Sequence, residues 1–433
     1  MATNVSLILY YQADGKPLRD TIEKHLHCFR QFALVQPVYI NLYFPFPTKL
    51  VQKLHIQYVI FHTTLLSAIR WSTDDSILVN CLNKLETLKL FNCPKAILPQ
   101  DEFINNTRIN RLISELHISH IFTVAPDPND WPRIYGELLT KRSIAIATVL
   151  TGYIDEHSTA HWQNKARQSN NRPLDFGYRA YRADFNFGLH GLHKTGVGEH
   201  VLAISAQLGL KVDISFAPEA TFLGKAWFEF LLQCKGTLGC ESGVSMLDHD
   251  GSIRARVQSY LGCAPNATFT EVEAACFPGL DNSLNLLTIS PRHFEAMMTN
   301  TTQFLVEGRY NELLRPWRHY IPIKKDYSDV LTQVSLVRDA KMIKDINEKC
   351  AHEILNNPQL TYAYFVQFIE KTLQIHSSLK QRVLRLPATR LAGRNQGHWL
   401  KLRIKEKLPK LVLLVRLLKN TMLKCRLLGM IKK

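Results

Sequence analysis

A chain of 433 residues is too long for one hydrophobic core and fits two domains with an appendage, and 46% hydrophobic with 21% charged residues excludes a disordered polymer. No uncharged apolar run reaches the roughly eighteen residues of a membrane span, and the opening MATNVSLILYYQADG lacks a basic leader and a cleavage site; a cytoplasmic location is expected. The formal charge of +16 is lopsided: residues 401–433 hold eleven Lys/Arg against the single acid Glu406, so the body is only mildly basic and nucleic acid is not an expected partner.

In chain order, residues 5–11 (VSLILYY) read as a buried first strand, followed at helical spacing by 18–29. Short apolar runs recur at 37–42, 58–62, 95–98, 120–124 and 145–150, with helical stretches such as 76–91 and 106–116 between several of them. Strand and helix in alternation predict a parallel, doubly wound sheet over 1–160. Ligands of such sheets sit beyond the carboxyl ends of the strands. That rule selects Asn41, His62-Thr63-Thr64, Gln100-Asp101-Glu102 and Thr151-Gly152-Tyr153. Asp101 and Glu102, adjacent acids straight after an apolar run, are candidates for a base or a ligand of an acceptor hydroxyl. Asp101 also suits a helix cap. His62 is a candidate through its near-neutral pKa, set against a hydrogen-bonded structural role. The nine cysteines stand singly, without metal or disulfide spacing, and are expected to be reduced; His117 and His120 lack a third ligand.

Residues 155–171 turn polar and predict an interdomain connection, with a linker at 161–174. A second set of elements follows over 175–345. Gly188, Gly191, Gly196 and Gly198 surround Lys194 ahead of an apolar helix at 201–208, a pattern that suits close approach of a backbone and a point charge to an anion. After a strand at 211–215, a helix at 222–232 and a strand at 235–238, the small-residue loop 239–245 places Glu241, Ser242 and Gly243 at a crevice. Asp248-His249-Asp250-Gly251 is an Asp-x-Asp triplet, readable as a metal and diphosphate ligand or as a turn. The run 286–289 is of strand length, and Phe294, Met297, Met298, Phe304 and Leu305 fall at helical spacing. A strand, tight loop and helix offer free amides and the positive end of a dipole to a phosphate, with Glu295 in the first turn to accept both hydroxyls of a ribose. A last strand near 319–323 and helices at 330–355 and 360–373 follow, with 346–390 as closing helices.

Pro291-Arg292-His293-Phe294-Glu295-Ala296, the threonine-rich turn after it, Glu307-Gly308, His319-Tyr320-Ile321 and Lys324-Lys325-Asp326 resemble the C-terminal half of GT-B glycosyltransferases, most of all the CgeB-like "glycosyl transferases group 1" pattern. The resemblance implies two Rossmann-like doubly wound domains facing a cleft, and a nucleoside-diphosphate sugar as donor with no separate cofactor and no metal. It gives Glu295 the ribose and places Arg292 and Thr299 in the same donor site with Glu241, Ser242 and Gly243. It also makes Arg179 and Lys194 the cations that stabilise the departing diphosphate. Asn300 stands where the family has glycine, and Leu287 where many retaining members carry an acid, so retention or inversion stays open.

The tail, residues 391–433, interleaves Leu, Val and Ile with Lys and Arg from 399 onward. Each cation at an anionic membrane surface contributes about 1 kcal/mol, so a peripheral anchor beside a glycan or lipid-linked acceptor is expected. Undiminished liposome pelleting after deletion beyond Asn395 would refute it. Two rivals remain at this point: a GT-A-like enzyme using Asp248 and Asp250 with a divalent metal, and a catalytically silent GT-B-shaped scaffold.

Overall fold

Strands buried on both faces read as continuous apolar runs rather than alternating ones, and β1 (Asn4–Tyr10) is such a run, with five consecutive buried residues at its centre. A computed structural model describes residues 4–13, 18–169 and 171–376. In it, β1 lies between β2 (Gln36–Asn41) and β3 (His55–Phe61), and β4 (Lys95–Ile97), β5 (His120–Thr123) and β6 (Ala145–Thr148) extend the sheet. The order is 2-1-3-4-5-6 and every pairing is parallel.

The second domain repeats the plan. It contains β7 (Leu174–Arg179), β8 (Val212–Ser215), β9 (Cys234–Gly239), the short β10 (Ser242–Val244) and β11 (Leu286–Thr288), then β12 (Thr302–Val306) and β13 (Ile321–Ile323). Five of these form a parallel sheet in the order 13-12-9-7-8. β10 and β11 stand apart as an antiparallel ribbon. Gly243 makes the ribbon possible: its φ is +110°, and a Cβ there would run into the Leu286 carbonyl. The fold is therefore two Rossmann-like doubly wound domains facing a cleft, the GT-B arrangement.

Two main-chain ties join the domains, beside side-chain contacts such as Asp130 accepting from the Asn285 amide at 3.3 Å. At the first, the chain crosses twice side by side: the Ile154 amide donates to the Leu360 carbonyl (2.7 Å) and the Tyr362 amide to the Ile154 carbonyl (3.2 Å). The helix Tyr362–Thr372 then lies on the first domain, with Phe365 stacked on Tyr153 at 4.6 Å. Its Glu370 accepts from the Leu34 amide and the Tyr58 hydroxyl, both at 2.9 Å. The second tie comes from an insertion between β10 and β11, whose helices Ser252–Cys263 and Phe269–Cys276 close over Met246, Val257, Val272 and Phe277. Its Asp248 amide donates to Phe103 (2.7 Å), while Asn105 and Thr107 donate to Asp248 (3.0 Å) and His249 (3.2 Å).

Four local expectations need revision. Phe304 and Leu305, expected to continue the helical spacing of Phe294, Met297 and Met298, lie instead in β12, because the helix ends at Met298 and Asn300 turns the chain in a left-handed conformation. The polar stretch 155–171 is largely a helix, Glu156–Gln168, capped by Asp155 and held by Trp162 stacked on Phe228 at 4.6 Å. Gly191, Gly196 and Gly198 lie inside a helix, Leu189–Ser205, rather than in an anion-cradling loop. They are small for packing: a Cβ would meet Phe187, Tyr327 and Phe216 at 2.8, 2.7 and 2.8 Å. The predicted helix at 330–355 is broken because Asp339 caps a fresh start, accepting from Lys341 and Met342. Asn300, the family's glycine position, has φ +50° and adopts the left-handed turn that position requires. Among the described residues all eight cysteines are free, and no helix is long and apolar enough to cross a membrane. The basic tail, 391–433, and residues 377–390 of the expected closing helices lie outside the described residues.

Candidate functional site

Both sheets direct their carboxyl ends at one cavity of about 390 Å³ between the domains. Its first-domain wall contains Arg19, Asp20 and Thr21 at the start of the helix Asp20–Phe32, together with Trp71, Gln100, Asp101, Phe103 and Thr151. Its second-domain wall contains Tyr181, Phe187, Lys194, Leu223, Trp227, Ser242, Gly243, Ser290, Arg292 and Glu295. Thr151 also ties the walls together, donating from Oγ1 to the Ile289 carbonyl at 2.7 Å.

Glu295 lies in this cavity and is otherwise buried, with 9% of its surface exposed. It sits on the helix Pro291–Met298, in the second turn rather than the expected first, because the helix begins where Ser290 Oγ accepts from the Arg292 amide and Pro291 occupies the first position. One carboxylate oxygen accepts from Trp227 Nε1 at 2.8 Å. Burial raises its pKa, and the neighbouring Arg292 opposes that rise. Arg292 lies over the Trp227 ring at 5.2 Å and donates to the Arg179 carbonyl at 2.6 Å. The guanidinium makes no carboxylate pair at ion-pair distance among the described residues.

Lys194 enters the same space from the helix Leu189–Ser205, its ammonium over the Phe187 ring at 4.9 Å and 3.2 Å from the Tyr181 hydroxyl. Asp101 faces them from the first domain. Its φ is +49°, a conformation non-glycine residues adopt reluctantly, and it accepts from Trp71 Nε1 at 3.1 Å. Each wall thus carries a tryptophan whose indole N–H is held by a carboxylate. Over each tryptophan lies an arginine, Arg292 on Trp227 and Arg254 on Trp71 at 5.0 Å.

Other expected residues lie elsewhere or are already engaged. Arg179 is buried away from the cavity: it pairs with Asp213 at 2.8 Å, donates to the Ala220 and Asp213 carbonyls and rests on Phe230 at 4.4 Å. His62 is fully buried, accepts from the Thr64 amide at 3.2 Å as a helix cap and meets His25 at 2.9 Å. Glu102 touches the cavity, yet its oxygens accept from Thr123 Oγ1 (2.6 Å), the Val124 amide (2.8 Å) and the Tyr135 hydroxyl. Burial raises its pKa. Thr299 is spent on the carbonyls of Glu295 and Ala296 at the end of its helix. Glu241 points behind the ribbon, where Oε1 accepts from the Tyr310 amide at 2.6 Å. Asp248 accepts from the Ile253 and Arg254 amides and Asp250 from Ser252, so the Asp-x-Asp triplet is a helix-start turn. Among the described residues no three His, Cys, Asp or Glu side chains are grouped to hold a metal.

Sequence reading missed Arg19, Thr21, Trp71 and Trp227. The first two follow β1, so the same strand-end rule extended to the first strand finds them. The tryptophans carried no local signal.

No family model matches the chain. Among curated proteins, 62 residues are 37% identical to protein O-glucosyltransferase 3 of Rattus norvegicus, and 69 residues are 35% identical to that of Homo sapiens. The matches span 13% and 15% of this chain, and 12% and 13% of those proteins' lengths. Among solved structures, Anabaena HepE in complex with UDP and glucose aligns with a TM-score of 0.45 at 9% identity, covering 86% of this chain and 99% of that one. AviGT4, a glycosyltransferase involved in avilamycin A biosynthesis, aligns with a TM-score of 0.36 at 9% identity over 87% and 98%.

Proposed function

We propose that the chain is a glycosyltransferase that moves a sugar from a nucleoside-diphosphate donor to a glycan or lipid-linked acceptor in surface polysaccharide synthesis. One observation carries the reading: Glu295, Arg292 and the capped start of their helix open into the same interdomain cavity as Lys194. In this reading Glu295 accepts the ribose hydroxyls, and Arg292, Lys194 and the helix amides neutralise the departing diphosphate without a metal. Lys194 keeps the role the family resemblance implies, and Arg292 takes the one expected of Arg179. Asp101, beside Trp71, is the acceptor-side carboxylate placed to receive a hydroxyl proton. The short match to a protein O-glucosyltransferase is in keeping with sugar transfer. The basic tail holds the enzyme at an anionic membrane surface beside its acceptor.

Calorimetry with UDP and GDP ligands tests the donor site. Glu295→Gln keeps the shape and removes the charge, and is expected to weaken nucleotide binding by about tenfold, the 1.4 kcal/mol of a lost charge-assisted hydrogen bond, with an unchanged melting curve. Wild-type affinity in Glu295→Gln removes the residue from the site. A chain that binds neither nucleotide is the silent scaffold instead.

A further inference from the structure

We infer that Asn311 is a positioning residue for the donor site, acting through one side-chain oxygen; the inference rests on the glycosyl-transfer reading above. Asn311 does not line the cleft. The ribbon is a partition: Leu286 and Thr288 face the cleft, while Leu287 and Asn311 line a second cavity of about 380 Å³ behind it. From that side, Asn311 Oδ1 accepts from the Ile289 amide at 2.6 Å and from Thr288 Oγ1 at 2.8 Å. Thr288 ends β11, and Ile289, fully buried, leads directly into Ser290 and the helix that carries Arg292 and Glu295. A single oxygen therefore fixes the two residues that aim the helix start. Removing it leaves a buried amide without a partner at the point where a small rotation would misdirect every donor-side amide.

The loop that presents this oxygen is built at some cost. Tyr310, Asn311 and Glu312 have φ of +47°, +55° and +59°, three consecutive left-handed residues none of which is glycine. Such a segment persists where its surroundings over-determine it. Here Glu241 Oε1 accepts from the Tyr310 amide, the Tyr310 hydroxyl donates to the Val306 carbonyl at 2.6 Å, and Arg309 pairs with Glu312 at 2.7 Å. Gly308 lies against the Glu241 carboxylate with no room for a Cβ. Glu241 thus acts at second hand, holding the loop that holds the helix. Asparagine is among the residues most tolerant of a left-handed backbone, and of the tolerant ones only aspartate offers an acceptor oxygen at the same reach.

Two variants separate the oxygen from the backbone. Asn311→Gly keeps the left-handed conformation and removes the acceptor; Asn311→Asp keeps an acceptor, and high salt reduces the effect of the exposed part of its added charge. With the full chain titrated against UDP and GDP at high salt, Asn311→Gly is expected to bind the preferred nucleotide about tenfold more weakly and Asn311→Asp within about threefold of wild type. Cooperative thermal melting of both variants confirms that they are folded. Asn311→Gly that melts lower yet binds as wild type has lost only a structural contact, and overturns the positioning role. So does Asn311→Asp that loses as much affinity as Asn311→Gly. Either result leaves the glycosyl-transfer reading intact, whereas a wild-type chain that binds neither nucleotide overturns both.

Discussion

Arg179 and Arg292 share a hydrogen bond, the guanidinium of one donating to the backbone carbonyl of the other, yet their side chains serve different ends. Arg179 is enclosed by Asp213, three carbonyls and two phenylalanine rings. Arg179→Ala is therefore expected to lower stability by about 2 kcal/mol, since several buried carbonyls lose their donor. Arg292→Gln is expected to leave the denaturation midpoint in place and weaken nucleotide binding by about tenfold. Denaturant titration beside calorimetry reads both, and the reverse pattern would exchange the two assignments. This division also shows what a sequence discloses about a site. Gln100, Asp101, Thr151 and Glu295 are found because strand ends and the helix after β11 are set by local periodicity, and the backbone carries them to the cleft. For Arg179, His62, Glu102 and Thr299, the deciding fact is a partner remote in the chain or a side-chain direction. Asp213, His25 and Tyr135 draw the first three away or engage them, and no spacing rule names such partners.

Among the elements, most strands were legible because parallel strands covered on both faces are unbroken apolar runs; β12 was not, since Phe304 and Leu305 also continue the helical spacing of the segment before them. The ribbon β10–β11 was not, since its pairing depends on Gly243 meeting a segment more than forty residues away. The helix Leu189–Ser205 was obscured for a related reason: its glycines resemble a loop, and only the rings that press on them explain their presence. The crossing helix Tyr362–Thr372 carries a prediction at this scale. Glu370 is 1% exposed and is the acceptor for both the Leu34 amide and the Tyr58 hydroxyl. Glu370→Ala strands those donors and is expected to cost about 1–3 kcal/mol, while Glu370→Gln, which retains one acceptor oxygen, costs less. Equal losses for the two variants in urea titrations would mean that the contact is packing rather than hydrogen bonding.

At the scale of the whole molecule, five histidines are buried among the described residues, distributed over both domains. Burial lowers the pKa of His25, His190 and His293 to about 4, that of His62 well below its usual value, and that of the fifth, His319, as well. The unfolded chain takes up protons near pH 6.5 while the folded one refuses them down to about 4, so stability is lost as pH falls through that window. Glu102, Glu241, Glu295 and Glu370, all raised by burial, act with the opposite sign. Their contribution is common to wild type and a single histidine variant and cancels in the comparison. His25→Phe, which substitutes an apolar ring beside Phe365, is therefore expected to flatten the fall in unfolding free energy by about 1.4 kcal/mol per pH unit. An unaltered slope would remove His25 from the acid response. The two main-chain ties between the domains bear on how the cleft can widen. A book bound at the spine opens freely, but one that is also clasped does not, and the clasp here is the main-chain ladder from 103–107 to 248–249. Widening the cleft therefore requires that ladder to part, and while it is closed Tyr181 and Leu223 stand exposed at the border of the cavity.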